Sequence, residues 1–317
     1  MKSNQLINNF QIQSVDGREI KTYLWNDTKK PKAVIHLITT GTESVKSYRE
    51  FAKRMNKQNI IVVCSEQRGF SKSKKDKNTQ DDNVFFSYFH GWQLIVEDLK
   101  SVNNFIRKTY KHLPLYLVGH SLATVFAKAY AIKYSETIDG LIFSSFIEFN
   151  LASLLSNNFL LLLIELFAGK KYACHFKKIS YLNKFTKIMK KYRNIENDDI
   201  LEKYINLSQD PLLIKTFSVS ALRDVYKCML FNSCVNNIKF IRQDLPILIL
   251  ANNNDYKTAQ RYTKMSETLL KTLLKNDCFT HYVMFDNIKD KVFSKEPNKE
   301  LEDNINLFID KYNKKYI

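Results

Sequence analysis

Four short segments, residues 33–38, 60–64, 113–118 and 140–146, are almost uninterrupted apolar runs, and helical periodicity fills the spaces between them. A strand that is apolar on both faces has to be buried on both, which requires a sheet covered from both sides. The intervening patterns cover residues 45–55, 92–109 and 123–134; in the longest, Leu94, Val96, Leu99, Val102, Phe105 and Ile106 fall near one face. Two more strand-like runs, 245–251 and 281–285, precede helical patterns at 256–273 and 298–312. Near the amino terminus, 10–14 and 19–25 flank Asp16-Gly17, a hairpin signal. The expectation is an α/β fold: a mostly parallel eight-stranded sheet with helices on both faces.

The alternation is interrupted once. From 147 to 242 no strand signal occurs, only short helical patterns, the apolar run 159–167 and a basic stretch from Lys170 to Arg193. This reads as a helical cap inserted after the sixth strand, with a core made of 1–146 and 243–317. A cap there would lie over the carboxyl ends of the strands, where ligands bind such sheets. Two readings of 159–167 stay open. A helix apolar on nearly every face can be core, or it can enter a bilayer beside a basic surface.

Leu117-Val118-Gly119-His120-Ser121-Leu122-Ala123 joins the fifth strand to the helix at 123–134. A serine at the apex of a strand–turn–helix has its hydroxyl pushed outward, with a helix amino terminus behind it that favours developing negative charge. This is the setting of a serine nucleophile; the alternative is an ordinary turn serine.

Composition bounds partners and compartment. The 317 residues carry 49 basic and 32 acidic side chains, a net charge of +17. Such a surface fits an anionic membrane, nucleic acid or acidic protein, or it reflects compositional drift, since Lys, Asn and Ile are abundant throughout. No nucleic-acid motif is present, so no nucleic-acid partner is expected. The five cysteines are scattered and form no C-x-x-C pair. That argues against a disulfide framework or a structural zinc site and for a reducing compartment. The first ten residues have no apolar centre, so a cytoplasmic protein, peripheral to a membrane at most, is expected.

Three segments resemble the monoacylglycerol lipase and lysophospholipase branch of the α/β-hydrolase family (serine aminopeptidase S33-like). They are Thr40-Gly41-Thr42-Glu43-Ser44 with Tyr48 after the third strand, Glu66-Gln67-Arg68-Gly69-Phe70-Ser71-Lys72-Ser73, and the Gly119–Ala123 turn. The resemblance runs through nearly the whole chain. It implies a carboxylic-ester hydrolase acting on small lipid esters, without cofactor or metal. Ser121 matches the nucleophile, and the amides of Gly41 and Leu122 match the oxyanion donors. Asp255 matches the acid that orients the base; it also reads as a cap for the helix that follows.

One part is missing. The family's histidine follows the eighth strand, where this chain reads Phe285-Asp286-Asn287-Ile288-Lys289-Asp290-Lys291-Val292-Phe293, with Asp290 at about the histidine's place. A carboxylate with an ordinary pKa near 4 is a poor base for a serine hydroxyl. Of the six histidines, His281 begins the eighth strand, His36 lies within the third, His112 precedes the fifth, and His175 lies in the cap. His120 adjoins the nucleophile at a position the family leaves unused, and His90 precedes the long helix. Thr39-Thr40 replaces the family's His-Gly, Ala123 its second elbow glycine, and Glu66 its aspartate. The alternative to a working hydrolase is therefore an impaired member that keeps a lipid-binding or regulatory role.

Overall fold

The computed structural model describes residues 8–39, 45–70, 84–174, 217–253, 257–286, 293 and 297–313. Its centre is one eight-stranded sheet. The strands are β1 (Asn8–Gln13), β2 (Glu19–Trp25), β3 (Ala33–Ile38), β4 (Ile60–Ser65), β5 (Leu115–His120), β6 (Gly140–Ser144), β9 (Ile247–Asn253) and β10 (Thr280–Asp286). They lie in the order β1-β2-β4-β3-β5-β6-β9-β10. The β1–β2 and β2–β4 pairs are antiparallel and the rest are parallel.

The apolar runs behave as their patterning requires. Every residue of β3, β4, β5 and β6 is buried. Alternate residues feed two separate cores because successive side chains in a strand point to opposite faces. Val34, Ile61, Leu117 and Phe143 join one core with α2 (Gly91–Thr109), α3 (Ala123–Tyr134) and α5 (Val219–Ser233). Ile35, Val62, Val118 and Ile142 join the other with α1 (Arg49–Lys57) and α8 (Lys299–Tyr312). The remaining α-helices among the described residues are α4 (Leu151–Ala168), α6 (Val235–Ile238) and α7 (Lys257–Leu274). The helix expected at 45–55 begins as a 3-10 turn, Val45–Tyr48, before α1.

One expectation for 147–242 is corrected, and the two open readings of 159–167 are narrowed. The segment does contain strands: β7 (Ala173–Cys174) pairs with β8 (Phe217–Ser218), two residues each. Most of the run 159–167 lies outside the core; within it only Leu161 is buried. It lies in α4, where only Leu154 and Leu161 are buried. Phe159, Leu166 and Phe167 are 61%, 71% and 89% exposed. Residues 154 and 161 are two turns apart and form a narrow seam, which leaves the other faces of an apolar helix uncovered.

A buried charge cluster ties the hairpin to the centre. Arg68 donates to Asp98 at 2.8 and 2.9 Å and to Asp16 at 2.5 and 3.0 Å, and the Ser14 hydroxyl donates to Asp98. A guanidinium taken out of water needs such compensation, and its planar fork suits two carboxylates. Gly69, at φ 83°, lets the turn run against the Phe85 carbonyl, which a Cβ would meet at 2.8 Å.

Candidate active site

The carboxyl ends of β3, β5, β6, β9 and β10 lie side by side, and Ser121 stands at the centre of that edge. Its φ is 54°, in the left-handed region, and Leu122 returns to helical angles at φ −56° and ψ −32°. A side chain other than glycine held there costs on the order of 1 kcal/mol. Hydrogen bonds on both sides hold the strained residue. The Ser121 amide donates to the Ser144 carbonyl at 3.0 Å, and its carbonyl accepts the Thr124 amide at 3.0 Å and the Thr124 hydroxyl at 2.6 Å. Thr124 in turn accepts the Ile147 amide at 3.3 Å. Thr124 and Ser144 escaped sequence reasoning, because a threonine in a first helical turn and a serine ending a strand carry no signal of their own.

Gly119 makes the elbow possible. A Cβ on it would sit 2.9 Å from the Ala127 Cβ and 3.1 Å from the Ala123 carbonyl oxygen. Ala123, fully buried, is accommodated where the family pattern has its second glycine. The Leu122 amide makes no hydrogen bond among the described residues. It is therefore a free donor at a helix amino terminus, the chemistry an oxyanion site uses. Gly41, the other expected donor, lies outside the described residues. The strand leading to it is placed: Ile38 of β3 pairs with Gly119 of β5, and buried Thr39 donates to the Ser65 carbonyl at 3.2 Å. Asp255 and Asp290 also lie outside the described residues, the first two positions beyond β9 and the second four beyond β10.

The histidines fall where the topology puts them. His36 is buried between Asn103 at 2.7 Å and Ser65 at 3.1 Å. Burial pushes its pKa down to about 4 against the pull of the Asn103 hydrogen bond, so it stays neutral. His281 is the second residue of β10, at the opposite end of the sheet, and bonds to the Tyr312 hydroxyl. His112 is exposed just before β5. His120 faces the α1 side, with Nδ1 3.3 Å from the Ser144 hydroxyl and its ring edge-on to Phe293 at 5.5 Å. His90 is exposed at the amino end of α2, on the same edge of the sheet as Ser121. His175 lies outside the described residues.

Beside this edge, α4 offers its uncovered apolar face. Arg223 holds Glu165 to α5 at 2.8 Å. Lys170 donates to the Tyr88 carbonyl at 2.5 Å and lies 4.1 Å from the Phe89 ring centre. Tyr88, Phe89 and Tyr172 are themselves exposed. With α4 they form an apolar and aromatic surface edged by lysine.

Residues 29–286 match the family model for serine aminopeptidase, S33 (Hydrolase_4). The chain belongs to that family. Among curated relatives of this S33 member, a putative monoglyceride lipase of Schizosaccharomyces pombe is 34% identical over 116 residues. Those residues are 36% of this chain and 29% of that protein, so the match spans less than a third of the relative. Solved structures with the same fold include a thermostable carboxyl esterase from Bacillus coagulans in complex with glycerol. It has a TM-score of 0.78 at 14% identity, covering 97% of this chain and 99% of that one. A soluble variant of monoglyceride lipase from Saccharomyces cerevisiae, in complex with a substrate analogue, has a TM-score of 0.62 at 18% identity, covering 98% of each chain. The α/β-hydrolase fold expected from the sequence is the fold observed.

Proposed function

We propose that this S33 protein is a carboxylic-ester hydrolase of lysophospholipase or monoacylglycerol lipase type, working through an acyl-enzyme on Ser121. The observation that carries the reading is Ser121 at φ 54°, directly followed by the unengaged Leu122 amide. The Ser121 Oγ attacks the ester carbonyl carbon while the amides of Leu122 and Gly41 receive the oxyanion. The C–O bond to the alcohol breaks, the serine proton ends on that alcohol, and water then releases the fatty acid and restores the hydroxyl. Asp255 is the acid of the site. No cofactor or metal takes part in these steps.

Residues 147–242 act as the cap over this edge. The apolar, lysine-edged surface of α4 supports a lipid ester as substrate and contact with an anionic membrane from the cytoplasmic side.

A second reading rests on its own observation: no histidine follows His281 in the sequence. Without a base, the oxyanion site and substrate binding remain and the rate falls by on the order of 10⁴. The protein would then be an impaired hydrolase that binds lipid. Intact-mass analysis after treatment with a fluorophosphonate separates the two. A single adduct at Ser121 supports the working enzyme, and an unmodified protein supports the impaired one.

A further inference from the structure

A cleft of about 540 Å³ opens between α3, α5 and α7 and the segment that follows β6, and Ser121 is not part of its wall. The size is that of a small-molecule site. Two groups in the wall have bonding capacity left over. Lys128 is 1% exposed, yet its Nζ has a single hydrogen-bond partner among the described residues, Glu148 at 3.3 Å. An ammonium has three donors. Asn232 is 5% exposed; its Nδ2 donates to the Val125 carbonyl at 2.7 Å, while its Oδ1 has no partner among the described residues. Leaving such groups unmatched in a folded interior is unfavourable. Phe149 and Tyr226 add two aromatic rings 6.3 Å apart and 31° from parallel.

We propose that this cleft binds a sugar or polyol. A hydroxyl both accepts and donates, so neighbouring hydroxyls on one ligand satisfy Lys128 Nζ and Asn232 Oδ1 together, and the rings take the C–H faces. An anion suits Lys128 but opposes Glu148 and brings no donor for Asn232. A purely aliphatic ligand leaves both groups stranded. The site has a route to the elbow, because Phe149 and Glu148 continue from Ile147, whose amide bonds to Thr124.

The test uses the full chain as Ser121→Ala, so that the outcome is independent of whether the protein hydrolyses esters. The probes are D-glucose and myo-inositol, observed by saturation-transfer NMR, with amide hydrogen exchange locating the site. The expected result is transfer to at least one probe at millimolar concentration, with slower exchange over 146–150 and 226–233. Asn232→Leu should weaken binding at least tenfold. Ser153→Trp, which puts a large side chain on the α4 wall of the cleft, should abolish it while the melting temperature shows an intact fold. No transfer to either probe overturns the proposal. So does binding that Ser153→Trp leaves unchanged, protection located elsewhere, or displacement of the probe by inorganic phosphate.

Discussion

The Ser121 amide donates to the Ser144 carbonyl at 3.0 Å, so the apex of the elbow is anchored on the neighbouring strand. That anchor holds a left-handed serine, and strain at this position can be measured. Ser121→Gly relieves the Cβ clash and should stabilise the fold by about 1 kcal/mol in urea unfolding. Ser121→Ala should abolish fluorophosphonate labelling with no such gain. Labelling that persists in the alanine variant assigns the nucleophile to another residue.

The missing histidine makes a kinetic prediction. Hydrolysis of p-nitrophenyl butyrate should be slow, and Asp290→His should raise it at least tenfold at neutral pH. The gained activity should rise through the ordinary histidine pKa near 6.5, because only neutral imidazole takes the serine proton. A fast wild-type enzyme counts against this, and so does a variant with an unchanged rate.

Gly119 is required by packing. Gly119→Ala puts a methyl 2.9 Å from the Ala127 Cβ, between elbow strand and helix. Overpacking of this kind costs about 1–3 kcal/mol. The midpoint of urea unfolding should fall accordingly, and an unchanged midpoint would show that α3 can move away freely.

Asp224 gives stability a pH dependence. Burial raises its pKa to about 6; Lys227, 3.9 Å away, and Arg223 oppose the shift, and the Glu165 charge adds to it. The fold therefore prefers the protonated acid. Its stabilising contribution is full below the ordinary value of 3.8 and is lost as pH rises through about 6. Asp224→Asn should match wild type at pH 3.5 and exceed it above pH 6.5 by about 2–3 kcal/mol, two pKa units' worth. A difference that does not change with pH removes Asp224 as its source.

The α4 surface predicts lipid selectivity. The protein should sediment with anionic vesicles and not with zwitterionic ones, and salt should weaken binding because charges are screened over about 10 Å at 0.1 M. Each basic residue near the surface contributes roughly 1 kcal/mol. Replacing Lys170 and Lys171 with Gln should cut binding at least tenfold; Lys177 and Lys178, outside the described residues, extend the same basic stretch. Phe159→Ser with Phe167→Ser should weaken insertion as well. Equal binding to both vesicle types would leave the +17 charge as compositional drift.

The centre of the sheet was legible because β3, β4, β5 and β6 are buried on both faces, so each is a continuous apolar run with no competing pattern. The elbow was legible because Gly119 and Ser121 stand between such a run and a helix. β7 and β8 were not, since two residues display no period. Nor was the exposure of α4: Phe159, Leu166 and Phe167 have the same composition in a core or on a surface, and only the neighbours of Leu154 and Leu161 decide which. Hydrogen bonds such as Thr124 to Ser121 depend on the turn's shape, and residue type alone does not reveal them.

The core on the α1 side depends on residues far apart in the chain. Leu301, Ile305, Phe308 and Ile309 of α8 close it, with Arg54 bonded to Glu302 at 2.6 Å across the join. During synthesis the opposite face of the sheet has α2, α3 and α5 in hand long before α8 emerges from the ribosome. Until residue 312 has been made, Val62, Val118 and Ile142 lack that helix as cover. A nascent chain stalled within that interval has only α1, through Phe51, Ala52 and Met55, to cover that face of the sheet.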